Sequence, residues 1–102
     1  MTNLEITKLC AAAMGIRWHE GKDGKIHDHS PIGGFATYDP LHDDAHAMVL
    51  VKKFRLLIQP LPGAWAVTEH KHPPRWSEDT DLNRAICECV AKMQQAKQKE
   101  VA

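Results

Sequence analysis

Pro62-Gly63 lies between two short apolar runs, and no other feature of the chain restricts its fold as tightly. Proline fixes a negative φ and glycine accepts a positive one, so the pair closes a tight turn. Before it, Phe54, Leu56 and Ile58 alternate with Arg55, Leu57 and Gln59; after it, Trp65 and Val67 alternate with Ala66 and Thr68. That period of two predicts a hairpin with strands over 54–59 and 65–70. Apolar residues fall on both faces of 54–58, so this strand is expected to be covered on both sides. A helix over Pro40 to about Lys53 leads into it. Asp39 is placed to cap that helix, and Pro40 needs no amide partner at the first position. Asp43 and Asp44 meet the positive end of its dipole, while Lys52 and Lys53 meet the negative end. Leu41, Ala45, Met48, Val49 and Lys52 share one face.

The rest of the chain reads as layers added to this unit. Residues 3–14 predict a first helix, with Thr2 and Glu5 at capping-box spacing, an apolar stripe of Ile6, Leu9, Cys10, Ala13 and Met14, and Gly15 at its stop. Ile16-Arg17-Trp18 is a short strand. Residues 20–37 are glycine-rich and polar, and read either as a surface loop or as a hairpin closed by Asp23-Gly24, with Lys25-Ile26-His27 returning beside Trp18. Ile32 and Phe35 are expected to pin the far end of this segment. Pro73-Pro74 forbids helix in the connector 70–74, which Trp76 is expected to pack down. Ser77, Asp79 or Thr80 then caps a final helix over about 80–98, with Leu82, Ala85, Ile86, Cys89, Val90 and Met93 as its stripe. Residues 94–102 are polar all round and read as a frayed tail. Three amphipathic helices and a small sheet predict a single α/β domain over 1–102: an α/β/α sandwich with a mostly antiparallel sheet.

A chain of 102 residues, 43% apolar and 25% charged, has room for one modest core. No run approaches the roughly 20 apolar residues that span a bilayer, and the N-terminus lacks a signal-peptide pattern, so the host-cell cytoplasm is the expected location. Residues 1–51 carry four Lys/Arg against seven Asp/Glu, and residues 52–102 carry nine against six. This polarity either favours head-to-tail self-contact or offsets itself within the fold. Three cysteines argue against a disulfide framework, and Cys10 and Cys89 fall on apolar helix faces as reduced, buried thiols.

Gly15-Ile16 and Trp18 after a first helix, Tyr38-Asp39-Pro40 ahead of the helix 42–53, the hairpin with Trp65, and Asp81-Leu82 followed by Ala85-Ile86-Cys87 together carry a resemblance. The chain resembles the phage ABA-sandwich domain, a family of small phage- and prophage-encoded proteins, over nearly its whole length. Members typically carry a serine- or asparagine-rich turn before the middle helix, where this chain has Asp39-Pro40-Leu41-His42. The resemblance implies an α/β/α sandwich of viral origin and supplies no catalytic residues.

Seven histidines are the compositional oddity, and six of them form the pairs His27/His29, His42/His46 and His70/His72. His42 and His46, four apart on a helix face, have the spacing of two ligands of one metal, and Asp43 between them echoes a zincin motif with Asp for Glu. Only the segment 20–37 can bring His27 or His29 to them, because the hairpin geometry carries His70 and His72 away. The sequence favours solvated surface groups for these side chains over a metal site. Gly33-Gly34 lacks the lysine of a phosphate loop, and no Ser, Thr or Cys stands in a nucleophile pattern. Lys52, Lys53 and Arg55, with Lys71, Arg75 and Trp76, form the basic and aromatic segments that a nucleic-acid contact would use. The sequence therefore predicts a non-enzymatic accessory protein without cofactor that acts by protein–protein contact. A nucleic-acid module is the runner-up and a His42/His46 metal protein the third reading. A homodimer through exposed sheet edges is expected more often than a monomer.

Overall fold

Helices begin where a side chain takes over the amides that a first turn leaves unpaired, and each start in this chain has its own cap. The computed structural model describes residues 1–28, 37–71 and 73–101. The first helix, α1, spans Asn3–Met14; the Thr2 hydroxyl accepts from the Glu5 amide, and Gly15 ends the helix at φ 70°. The second, α2, spans Asp44–Phe54, with Asp43 accepting from the Ala45 and His46 amides. It starts four residues later than the sequence predicts. Asp39 and Pro40 open a separate turn instead, closed by the His42 and Asp43 amides on the Asp39 carbonyl. The third, α3, spans Leu82–Val101. Its cap is Asp81, which accepts from the Asn83 amide, and not Ser77, Asp79 or Thr80. It also continues through the expected frayed tail, whose Gln, Ala, Lys and Glu residues are good helix formers even where nothing covers them.

Among the described residues, two antiparallel sheets accompany the helices. Strands β1 (Trp18–Glu20) and β2 (Ile26–Asp28) form the first, with His19 opposite His27. The hairpin reading of 20–28 is the correct one: Gly24 sits at φ 77° in its turn. Ile32 and Phe35 lie outside the described residues. The second sheet holds β3 (Leu57–Leu61), β4 (Ala64–Thr68) and β5 (Trp76–Asp79) in that order. Leu61 pairs with Ala64 across Pro62-Gly63, with Gly63 at φ 73°. The predicted start of this hairpin moves from Phe54 to Leu57 because Phe54 ends α2 and Arg55 takes a left-handed conformation at φ 51°. The fifth strand is new: its sequence, Trp-Ser-Glu-Asp, has no apolar alternation, and the pairing with β4 supplies what its pattern lacks.

The described elements form a small single-domain fold of three helices and a mostly antiparallel sheet, consistent with an α/β/α sandwich. The third helix is the hub and touches α1, α2, β4 and β5. Its residues Ala85, Ile86, Cys87, Cys89, Val90 and Ala91 are all buried, a wider set than one stripe. Cys10 of α1 donates a weak bond to the Cys87 carbonyl, while Cys89 faces the Arg75 carbonyl beside the sheet. Small side chains on this second face let α1 approach closely.

All three helices point the same way. Asn3 bonds Arg84, Cys10 bonds Cys87, and Ala13 and Phe54 line one cleft with Val90 and Met93. Asn83 donates to Asp44 at 2.7 Å where α2 and α3 begin. The helix N-termini thus gather at one pole of the molecule and the C-termini of α1 and α2 at the other. Each aligned dipole places about half a positive charge at its start and half a negative one at its end. Asp43, Asp44 and Asp81 lie at the first pole, facing the positive ends of α2 and α3, and Lys52 and Lys53 lie at the second, facing the negative end of α2. The first helix has no base in its last turn, and Lys53 of α2 supplies one by donating to the Met14 carbonyl.

Candidate functional site

The pole of helix starts holds a cleft of about 500 Å³ whose lining includes Thr7, Lys25, Tyr38, Asp39 and His42. Asp39 organises it. Its carboxylate meets His42 Nδ1 at 3.0 Å through both oxygens, and its backbone amide donates to His46 Nδ1 at 3.1 Å. With Nδ1 of His46 accepting that bond, the ring carries its proton on Nε2. The 3.7 Å approach of Asp43 to the same nitrogen is therefore not an ion pair. His46 also stacks on Tyr38, with ring centroids 5.2 Å apart.

This arrangement changes what the histidine pair can do. His42 lies in the turn before α2, not on the helix, so the two imidazoles do not share a helix face. A carboxylate on His42 Nδ1 orients Nε2 outward, as it does in many metal sites. His46 is committed to the Asp39 amide, and binding a metal through Nε2 would require its proton on the nitrogen that accepts that amide. Among the described residues no group of three or more His, Cys, Asp or Glu side chains is placed to hold a metal ion. His27 stacks on His19 across the strands at 5.2 Å and approaches Asp23 at 3.2 Å. The Lys25 amide first, and His27 second, hold the Asp23 carboxyl below its ordinary value. His29 and His72 lie outside the described residues, and His70 is exposed beyond β4 at the opposite pole.

Tyr38 is 7% exposed, and its hydroxyl has no hydrogen-bond partner among the described residues. Burial pushes its ionisation far above the ordinary phenol range, and the neighbouring Cys10, Cys87 and Asp28 add to the effect. The Cys87 thiol is raised by its contact with Cys10 and by burial, and burial pushes Cys89 up to about 11. These thiols are packing groups, not nucleophiles.

The other pole gathers the basic segments. Phe54, Lys71, Arg75 and Lys97 line a cleft of about 380 Å³, so 52–55 and 71–75 converge at one end of the molecule. Part of that charge is already used. Glu69 is buried, and its carboxylate accepts from both the Arg75 amide and the Arg75 guanidinium at 3.0 Å. Lys53 serves the end of α1, while Lys52, Arg55 and Lys71 are exposed. Glu69 was not singled out by the sequence, although a lone acid before a Pro-Pro connector with an arginine six residues on was the available signal.

Trp76 does not pack the connector down: it is 54% exposed and stands on the outward face of β5. Leu57, 51% exposed, stands in the same row on β3, with Thr68 between them. The expected cover on both faces of the hairpin strand therefore fails at Leu57. The inward row of Ile58, Val67 and Ser77 packs toward α3, where Ser77 donates to Glu88. Both sheet edges are blunted: Pro60 on β3 has no amide to offer, and Lys92 donates to the Trp76 carbonyl of β5 at 2.9 Å. Among the described residues no helix is long and apolar enough to cross a membrane. The chain matches no family model, no curated protein and no solved structure.

Proposed function

We propose that this chain is a non-enzymatic accessory protein that acts by binding another protein, in the phage or prophage setting that its sequence resemblance implies. The observation that carries the reading is the outward row Leu57–Thr68–Trp76. Neighbouring strands lie about 4.8 Å apart, so two large, half-exposed apolar side chains stand about 10 Å apart across a threonine. Adjacent exposed apolar groups of this kind mark contact sites, and tryptophan is enriched among the residues that dominate binding energy. Among the described residues, Thr7 donates to the Asn3 carbonyl, Ser77 donates to Glu88, and the three thiols are buried, so these groups serve the structure. The test is Trp76→p-benzoylphenylalanine photo-crosslinking in a bacterial host. Discrete protein adducts that disappear when Leu57→Glu is added are expected. Nucleic-acid adducts alone, or none, would overturn the reading.

A second reading, single-stranded nucleic-acid binding, is favoured by Lys71, Arg75 and Lys97 around the cleft that Phe54 also lines. Exposed Lys52 and Arg55 flank Phe54 in the chain, and exposed Trp76 is next to Arg75. Gel shifts with single-stranded DNA over rising salt test it. Phosphate contacts require an affinity that falls by about tenfold or more between low and physiological salt, and a salt-insensitive result removes this reading.

A further inference from the structure

We infer that the groove between α2 and the start of α3 is a docking site for a basic amphipathic helix of a partner protein. The inference deepens the protein-contact reading and rests on it, but it uses a different surface. The groove has a volume of about 330 Å³; Ala47, Met48, Leu82 and Ile86 form its apolar wall, and Asp44 and Asp81 its rim. Met48 is 43% exposed and Val49, next to it on α2, is 47% exposed. A surface helix normally turns such side chains inward.

Charge selects the partner. Two carboxylates and no lysine or arginine line the groove. Each helix start contributes about half a positive charge. Against this stand Asp43 and Asp44 at the start of α2 and Asp81 at the start of α3, so the rim keeps a net negative field. Arg84, the nearest cation on α3, is already committed to Glu88 at 2.7 Å and to Asp79. Asn83 holds Asp44 at 2.7 Å, which fixes the spacing of the two helix starts and so the width of the groove. A parallel pair of helices offers ridges and grooves into which a third helix packs by an apolar side chain at each turn. The matching ligand carries leucine, isoleucine or methionine at that spacing with lysine or arginine beside it. A second copy of this chain fits less well. The exposed end of its α3, residues 97–100, has no apolar anchor. Its α2, which sets exposed Met48 and Val49 beside Lys52 and Lys53, also brings Asp43 and Asp44, which the acidic rim repels.

The probe is a synthetic helical peptide with leucine on one face and lysine on the other, compared with the same peptide carrying glutamate in place of lysine. Binding is read by fluorescence anisotropy and by backbone amide shifts of the full chain. The lysine peptide is expected to bind, with shifts confined to 44–49 and 82–86, and the glutamate peptide is not. Asp44→Asn with Asp81→Asn keeps both hydrogen-bond acceptors and removes both charges. Met48→Ser alters only an exposed side chain. Each should weaken binding by about tenfold or more. Shifts elsewhere, equal binding of the two peptides, or unchanged affinity in both variants would overturn the assignment. So would self-association of the chain that Met48→Ser abolishes, because a second copy would then be the occupant. If the peptide fails while the cross-links from position 76 persist, the groove assignment falls and the contact reading stands. If the cross-links fail while the peptide binds, the reverse holds.

Discussion

Tyr38 shows how much one atom can matter in a core this small. Its backbone amide donates to the Ile26 carbonyl at 2.7 Å and its ring stacks on His46, while its hydroxyl is desolvated and has no partner among the described residues. An unmade buried hydrogen bond costs about 1–3 kcal/mol. Tyr38→Phe removes the hydroxyl and keeps the ring, so it should raise stability by about 1 kcal/mol in urea unfolding. A loss of that size would show that the hydroxyl is bonded after all. Asp39 is the opposite case. Its cap was legible in the sequence, but not its object. It serves a turn and two imidazoles, and Asp43 takes the helix, because either aspartate precedes a helix-compatible run. Only the competition of the two turns in space decides between them.

The connector between β4 and β5 is held at its base by Glu69 and Arg75, whose backbones also pair at 3.0 Å. Such a closure allows Pro73-Pro74 to interrupt the sheet without separating its strands. Arg75→Met should cost about 2–4 kcal/mol, because it strands a buried carboxylate; part of the arginine stays in water, which holds the loss below that of a fully buried pair. Adding Glu69→Gln should recover most of it. Tryptophan fluorescence during urea unfolding gives both values, and a single-variant loss under about 0.5 kcal/mol would mark the pair as a surface contact. The same closure explains why β5 escaped the sequence. A four-residue strand with one buried side chain carries no period, and its existence follows from the return path that the Glu69–Arg75 pair imposes.

At the scale of the molecule, α3 joins both halves of the core, so damage to it should be felt everywhere. Ile86 is fully buried where α3 meets α2. Ile86→Ala should cost about 2–5 kcal/mol and leave a single unfolding transition seen alike by circular dichroism and fluorescence. A loss below about 0.5 kcal/mol, or two separate transitions, would make α3 peripheral. The blunt edges at Pro60 and Lys92 work against strand-to-strand association of two copies. Within α2, Asp43 and Asp44 at the start and Lys52 and Lys53 at the end match the helix dipole.

Local chemistry determined much of this protein from the sequence alone. Whereas the choice of hairpin over loop at Asp23-Gly24 was left to the structure, the extent of α1, the Pro62-Gly63 turn and the inward stripe of α3 all follow from side chains within a few residues of one another. These are short-range contests of capping, φ and periodicity, and each was settled where it stood. The tertiary structure decided what depends on residues far apart. It gave the cap of α2 to Asp43, buried the second face of α3 against α1, added β5, and turned Leu57 and Trp76 outward. It also separated the roles of His42 and His46, which spacing alone made equivalent. Burial and pairing are properties of the surface that another segment presents, and a period in one segment does not specify the segment that will cover it.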